Sequence, residues 1–250
     1  MSGRDVLVRA ALAQVRWFAG WGPGSLDILC RSAQVVHYPA QSRIYGAGDK
    51  LDGIYVLATG SIRYVAQQPN GKAVSMRFWP PGEPLGVVAC LDGKGSPLDL
   101  YAHQDTAVVF VPRAALLEAM RGDFAATWSI VELLCARSRD MFIKIESQLT
   151  RPLRARLAQL FLHLGRGFGT PAGQGVSITL KLTQDEIGSM LGVSRQSVHG
   201  EIKALERDGL VEMSYGHVTL RDLQGLERLA DSEPGWPSAD GQPGSASPST

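Results

Sequence analysis

One stretch, LTQDEIGSMLGVSRQSVHGEIKALERDG from Leu182 to Gly209, constrains this chain more than any other. Thr183, followed three residues later by Glu186, is a capping-box pair, so a helix is expected to start there. Ile187, Met190 and Leu191 give that helix a buried stripe at helical spacing. Gly192 can take a positive φ and let the chain turn, and Ser194 suits the N-cap of a second helix. Along that second helix Val198, Ile202 and Leu205 fall on one side, and Arg195, Gln196, His199 and Lys203 on the other. Gly209 stands where a glycine stop is expected. Leu210, Val211 and Met213, then Tyr215-Gly216-His217, then Val218-Thr219-Leu220, read as a hairpin. Two helices joined by a glycine turn and followed by a hairpin make a winged helix-turn-helix.

The polar face of the second helix suits base edges and phosphates. A recognition helix contacts bases chiefly through its first turn, where Arg195, Gln196 and Ser197 cluster. A helical hairpin that merely packs satisfies the same caps and periodicity, so both readings stay open on those signals alone. The candidate DNA contacts are Arg195, Gln196, Ser197, His199 and Lys203, together with the caps Thr183 and Ser194. Arg151, Arg154 and Arg156 are further candidates for phosphate contacts.

With 250 residues and 44% hydrophobic content, the chain can bury two ordinary cores. No apolar run reaches the length of a membrane span. Val6 to Ala13 is short and interrupted by Arg9, unlike a signal peptide, so a cytoplasmic protein without membrane partners is expected. A net charge of +1 argues against a histone-like polyanion binder but not against a local basic face. From Arg151 to Leu210, Lys and Arg outnumber Asp and Glu by eight to five. Cys30, Cys90 and Cys135 are widely spaced, which excludes a Cys-x-x-Cys zinc ribbon and a four-cysteine cluster. His37 and His103 are isolated and no His-x-His occurs, which counts against a cupin-like metalloenzyme. No enzyme, metal or cofactor is expected.

The rest of the chain divides into regions. Residues up to about Arg31 look helical, with Leu26, Ile28 and Leu29 following a cap at Ser25. From Val35 to Val111 short β runs alternate with glycine and proline, the clearest being Ile54 to Leu57, Ile62 to Val65, Val74 to Phe78 and Val108 to Val111. Gln68-Pro69-Asn70-Gly71 is a hairpin turn signal. A long helix is expected from about Phe124 to Leu149. Along it Phe124, Trp128, Val131, Cys135, Ser138, Phe142, Ile145 and Leu149 alternate at spacings of four and three, which is a heptad seam. A seam of that length points to a second identical helix and a parallel homodimer, since a dimer reads two half-sites of a two-fold operator in double-stranded DNA. After Asp231 the composition becomes Pro, Gly, Ser and Ala, which cannot bury enough apolar surface to order itself. The expected fold is α+β. An N-terminal double-stranded, jelly-roll-like β-roll occupies 1–120, a dimerisation helix 121–150, a winged helix-turn-helix 151–231, and a disordered tail 232–250.

This order of parts resembles the Crp/Fnr superfamily of bacterial transcription regulators from about Phe18 to Leu220. The residues that carry the resemblance in the roll are Tyr38-Pro39-Ala40, Gly46-Ala47-Gly48-Asp49, Gly53-Ile54-Tyr55-Val56-Leu57, Gly60-Ser61-Ile62 and Pro81-Gly82-Glu83. Leu182 to Gly188 and Val193 to Val198 resemble the family's DNA-binding signature. The resemblance implies a transcription regulator acting on RNA polymerase. It also implies that Arg195 reads a guanine, whose O6 and N7 accept two bonds from a guanidinium. Gln196 stands in place of a frequent glutamate, which shifts the base preference toward adenine. Gly200 replaces an arginine that many relatives carry.

The sensor half departs from the family's cyclic-AMP pattern. The phosphate cassette corresponds to Gly86-Val87-Val88-Ala89 and Gly95-Ser96-Pro97-Leu98-Asp99. Val87 stands where the resemblance expects a ribose-binding glutamate. No arginine lies between Gly86 and Tyr101, and Asp99 would repel a phosphate. Met141 and Phe142 correspond to the polar residues that meet adenine, and are expected to fill that space. Control by cyclic AMP through the usual route is therefore not expected. The degenerate cassette Gly86, Val87, Val88, Pro97 and Leu98 leaves the ligand open. The options are an apolar effector between roll and long helix, haem on His37, His103 or Cys90, a redox switch at Cys135, or no ligand.

Overall fold

The computed structural model describes residues 3–68, 71 and 73–231. Helices α1 (Gly3–Ala13) and α2 (Pro23–Ser32) lead into β1 (Gln34–Tyr38), β2 (Arg43–Tyr45), β3 (Gly53–Thr59), β4 (Ile62–Gln67), β5 (Ala73–Trp79) and β6 (Pro84–Leu85). Then come α3 (Val87–Asp92), β7 (Asp99–Ala102), β8 (Thr106–Pro112), α4 (Arg113–Gly122) and α5 (Phe124–Thr150). The C-terminal half holds α6 (Leu153–Phe168), β9 (Gly169–Ala172), β10 (Gly175–Ile178), α7 (Gln184–Leu191), α8 (Arg195–Arg207), β11 (Val211–Ser214), β12 (His217–Leu220) and α9 (Leu223–Ala230).

The N-terminal strands form two four-stranded antiparallel sheets, ordered β1-β8-β3-β6 and β2-β7-β4-β5. Leu57, Leu85 and Val108 from one sheet meet Ile62, Leu100 and Trp79 from the other, all buried. This is the alternation that packs two sheets face to face. Each such aliphatic side chain stabilises the fold by about 1.5–3 kcal/mol. Corners between strands are tight: Gly60 has φ +91°, and a Cβ there would meet Asp105 O at 2.6 Å. Strands β4 and β5 pair as a hairpin, and the Gly71 N–H donates to Gln68 O at 2.8 Å. Pro69 and Asn70 of the expected turn lie outside the described residues, as does the tail 232–250.

On the other face of the first sheet, Leu12, Phe18, Leu29, Leu116, Ile130 and Leu133 join α1, α2, α4 and the first half of α5 into one core. The cap expected at Ser25 is corrected. Helix α2 begins at Pro23 after Gly22, and Ser25 sits inside its first turn. Its hydroxyl is needed elsewhere: Ser25 Oγ donates to Asp123 Oδ2 at 2.9 Å, beside the Gly22 N–H at 2.8 Å. The other oxygen of Asp123 accepts from Ala125 and Ala126 N–H and caps α5. The Gly22 and Ser25 bonds, followed by that of Ala126, hold the Asp123 carboxyl below the ordinary range.

A separate core, with Phe161, Leu182, Val198, Ile202, Leu205 and Leu220, supports the C-terminal half. Its sheet runs β11-β12-β10-β9, so the expected wing hairpin is joined by an additional hairpin, β9–β10. Tyr215 (φ +49°) and Gly216 (φ +82°) turn the wing, as a two-residue hairpin loop with positive φ at both positions requires. Among the described residues no helix is long and apolar enough to cross a membrane.

Candidate nucleic-acid interface

Helix α7 starts as expected. Thr183 Oγ1 accepts from Glu186 N–H at 3.1 Å, and Glu186 Oε2 accepts from Thr183 N–H at 2.9 Å. Its buried side is Ile187, Met190 and Leu191. Gly192 ends it at φ +68°. The turn is also tight at Gly188, where a Cβ would lie 2.8 Å from Val193 O. Ser194 Oγ then accepts from Ser197 N–H at 3.1 Å and opens α8. Val198, Ile202 and Leu205 are fully buried and fix the rotation of α8 about its axis.

That rotation presents Arg195, Gln196, Ser197, His199 and Lys203 to solvent. The nearest charge to Arg195 is Asp185, at 3.9 Å with both side chains about 70% exposed. An ion pair that open contributes under about 1 kcal/mol, so the guanidinium is free to exchange it for a base edge. His199 Nδ1 lies 3.3 Å from Gln184 Nε2. Lys203 Nζ donates to Glu206 Oε2 at 2.7 Å, a bond that, with the Met213 N–H, holds the Glu206 carboxyl low. The two caps, Thr183 and Ser194, spend their hydroxyls within the motif. Of the phosphate candidates, Arg154 pairs with Asp208, Arg151 bonds Ala230 O, and Arg156 bonds Leu191 O.

Glu186 has a second role that its local pattern does not signal. Its Oε1 lies 3.5 Å from Arg63 Nη1 on β4 and 3.7 Å from His103 Nδ1. His103 also contacts Lys181 O at 3.2 Å and stands edge-on to Phe78. The residue that caps α7 therefore also ties it to the roll, and Phe78 of β5 is buried in the C-terminal core.

Helix α5 has two faces. Ala126, Ile130 and Leu133 are buried against the protomer. Phe124, Trp128, Val131, Phe142, Ile145 and Leu149 are exposed, Phe124 and Leu149 by about 80%, and Cys135 is exposed with them. The expectation that Met141 and Phe142 fill space beside the roll is corrected. They are 57% and 66% exposed. Phe142 belongs to the seam, and the helix phase that turns the seam outward turns both away from the sheet. Arg137 of α5 faces the roll instead, 4.9 Å from the centre of the Trp79 ring, over which Arg77 of β5 also stacks at 4.0 Å. Arg137 also donates to Glu83 and to Pro84 O.

The positions compared with the cassette lie at the start of α3 and in the segment leading into β7. Gly86 takes φ +76° at the start of α3. Val87 is buried in the apolar core, whereas Val88 and Pro97 are exposed and Leu98 is half-buried. Asp99 is buried, and its carboxylate accepts from Ala47 N–H at 2.8 Å and Gln67 Nε2 at 3.0 Å. Burial alone would raise its pKa, but those bonds and the Arg43 charge hold it below the ordinary value.

The proposed haem ligands are dispersed in role. His37 is exposed on an edge strand. Cys90 is fully buried, its thiol pushed up to about 11 by burial. His103 is bonded at the Lys181 backbone. Neither Cys90 nor His103 offers an open face to a porphyrin iron. Among the described residues no cluster of three metal-binding side chains occurs.

The family of Crp-like helix-turn-helix domains matches residues 155–229, and that of cyclic nucleotide-binding domains residues 35–123. Transcriptional regulator LdrP of Thermus thermophilus is 30% identical over 199 residues, 78% of this chain and 96% of that one. The CRP-like cAMP-activated global transcriptional regulator of Mycobacterium tuberculosis is 22% identical over 226 residues, 90% of this chain and 99% of its own length. The structure of FixK2 from Bradyrhizobium japonicum shares the fold, with a TM-score of 0.70 at 21% identity, over 79% of this chain and 96% of that one. A two-sheet roll, a long helix and a helix-turn-helix with its small sheet, in this order and with these relatives, place the chain in the Crp/Fnr family of DNA-binding transcription regulators, which are not enzymes.

Proposed function

We propose that the protein is a homodimeric, sequence-specific regulator whose two α8 helices enter successive major grooves of a two-fold operator. The observation that carries this reading is the first turn of α8. Arg195, Gln196 and Ser197 point outward there, while Val198, Ile202 and Leu205 anchor the helix behind them. Arg195 supplies a bidentate contact to guanine and Gln196 one to adenine. The dimer rests on the exposed apolar seam of α5, because a continuous stripe from Phe124 to Leu149 is too long to leave in water on a stable monomer. Once on its operator, the dimer acts on RNA polymerase bound nearby.

Cyclic AMP does not control it through the family cassette. A buried phosphodiester needs a cationic partner. Here Val87 packs in the apolar core, and the buried carboxylate of Asp99 occupies the end of the same segment. Selection of bound sequences from a random duplex pool, with and without cyclic AMP, tests these claims together. A two-fold consensus unchanged by the nucleotide is expected. Recovery of unselected sequence, or of a consensus only with cyclic AMP, would overturn the corresponding part.

A further inference from the structure

Between the roll and the C-terminal half lies a cleft of about 690 Å³, bounded by β5, α5, α6, α7 and α9. That volume falls in the range of small-molecule sites. Its floor is apolar, with Ile143, Leu160, Leu164 and Met190. Its walls carry Arg77 of β5, Lys144 of α5, and Arg156 and Arg166 of α6, with Arg151 at the α5–α6 joint. The carboxylates Asp140, Glu227 and Asp231 are fewer.

Lys144 Nζ donates to Met76 O at 3.0 Å, whereas Arg77 and Arg156 are incompletely paired. Arg77 reaches Asp140 only at 3.4–3.5 Å, and its Nε makes no hydrogen bond among the described residues. Arg156 gives one bond to Leu191 O and likewise leaves Nε without one. Burial pulls the Arg77 pKa below its usual value, and burial followed by the Arg77 charge does the same to Lys144. His163 is exposed and lines the cleft, and desolvation followed by the Arg77 charge lowers its pKa to about 4. Desolvated guanidinium donors without full partners are costly and gain most from a bound anion.

We propose that this cleft binds a phosphorylated small molecule with an apolar or aromatic body, held by Arg77, Lys144 and Arg156, and that its binding fixes the DNA-reading half against the roll. The phosphate sits among cations from different elements, and the apolar body covers Ile143, Leu160 and Met190. Several cations converging on one cleft suit a phosphate dianion better than a single carboxylate. The coupling to DNA rests on α8 being the reading helix; binding in the cleft does not.

The probe is 1-naphthyl phosphate, with inorganic phosphate and 1-naphthol as controls, titrated calorimetrically into the full chain. Saturable binding is expected, weakened roughly tenfold or more in the double variant Arg77→Gln, Lys144→Gln. Neither control should match the probe. At pH 7 the imidazole resonance of His163 should shift on binding, a local readout that does not depend on any variant folding. Lys144→Gln alone, a change at a partly open side chain, serves if the double variant unfolds. Equal binding by wild type and variant, an unmoved His163 resonance or tighter binding of naphthol would overturn the site. Binding that leaves operator affinity unchanged would overturn its control of DNA reading. Arg195→Ala separates the two readings: it should lose operator binding and keep the probe.

Discussion

Helices α5 and α8 each bury one aliphatic stripe and leave the opposite stripe bare, but the bare stripes differ in kind. On α5 it is Phe124, Trp128, Val131, Phe142, Ile145 and Leu149. On α8 it is Arg195, Gln196, Ser197, His199 and Lys203. An apolar stripe on an otherwise folded protomer lowers its free energy only by finding another apolar surface. A polar stripe in water is already satisfied and gains only from a partner that offers more directed bonds than water does. On the function proposed above, the same amphipathic logic assigns a permanent partner to one helix and an exchangeable one to the other.

The strongest break of this contrast is to make the α5 stripe resemble that of α8. Phe142→Asp with Ile145→Asp removes buried apolar area worth about 2 kcal/mol or more per side chain. Two-fold symmetry doubles the loss and sets carboxylates against their own copies. The variant should sediment as a monomer with unchanged far-ultraviolet circular dichroism, since neither side chain belongs to the protomer core, and should no longer shift operator DNA. A variant that stays dimeric places the interface elsewhere. The register of the pairing can be read separately. Cys135 lies near the middle of the seam, so a short bismaleimide should cross-link wild type into covalent dimers, and failure to cross-link would place the pairing elsewhere.

On α8 the corresponding break is Arg195→Ala. Operator affinity should fall by about 1–3 kcal/mol, with one base preference relaxed. Equal binding of the unmutated protein to operator and scrambled DNA would refute the role given to Arg195.

What the sequence disclosed follows the range of the interactions. The capping box of Thr183 and Glu186, the turn at Gly192 and the cap at Ser194 span three or four residues, and each reads directly as structure. The seam of α5 is likewise a local period. The β9–β10 hairpin went unread although Val176, Ser177 and Ile178 alternate in β10, because its partner β9, Gly169–Ala172, carries no such alternation. The tie from Glu186 to Arg63 joins residues 123 positions apart, and no local pattern encodes it. The cleft cations Arg77, Lys144 and Arg156 are scattered for the same reason. Phe142 drew two incompatible expectations, one from the seam and one from resemblance to a ligand contact. Helix phase turns Phe142 outward with the exposed apolar stripe and away from the sheet.

The N-caps extend the comparison at lower energy. Asp123 serves α5 through four acceptor contacts that also clamp α2, whereas Ser194 serves α8 through its contact with Ser197 alone. Asp123→Ala should therefore lower the thermal midpoint more than Ser194→Ala, whose cost is about 1 kcal/mol. The Asp123 contribution also depends on acid. Its folded pKa is depressed, so its stabilisation is complete above the unfolded value and is lost as pH falls through the folded one. Melting curves of wild type and Asp123→Ala should converge as pH drops below about 4. Curves that stay parallel would assign the clamp to geometry and not to charge.

The smallest effect is expected at Lys203. Its ammonium is 2.7 Å from Glu206, and Glu206 also accepts the Met213 N–H at the start of the wing. An exposed pair of this kind is worth under about 1 kcal/mol, so Lys203→Gln should barely alter stability. The informative measurement is the salt dependence of DNA binding. A lysine that neutralises a phosphate contributes about one unit to the slope of log affinity against log salt, whereas one committed to Glu206 contributes less. If Lys203→Gln leaves the slope within a fraction of a unit of wild type, the intrahelical pair persists on DNA, and the polar stripe of α8 acts through its first turn. A drop of a full unit would show that Lys203 abandons Glu206 for the duplex and carries the stripe a further two turns along the groove.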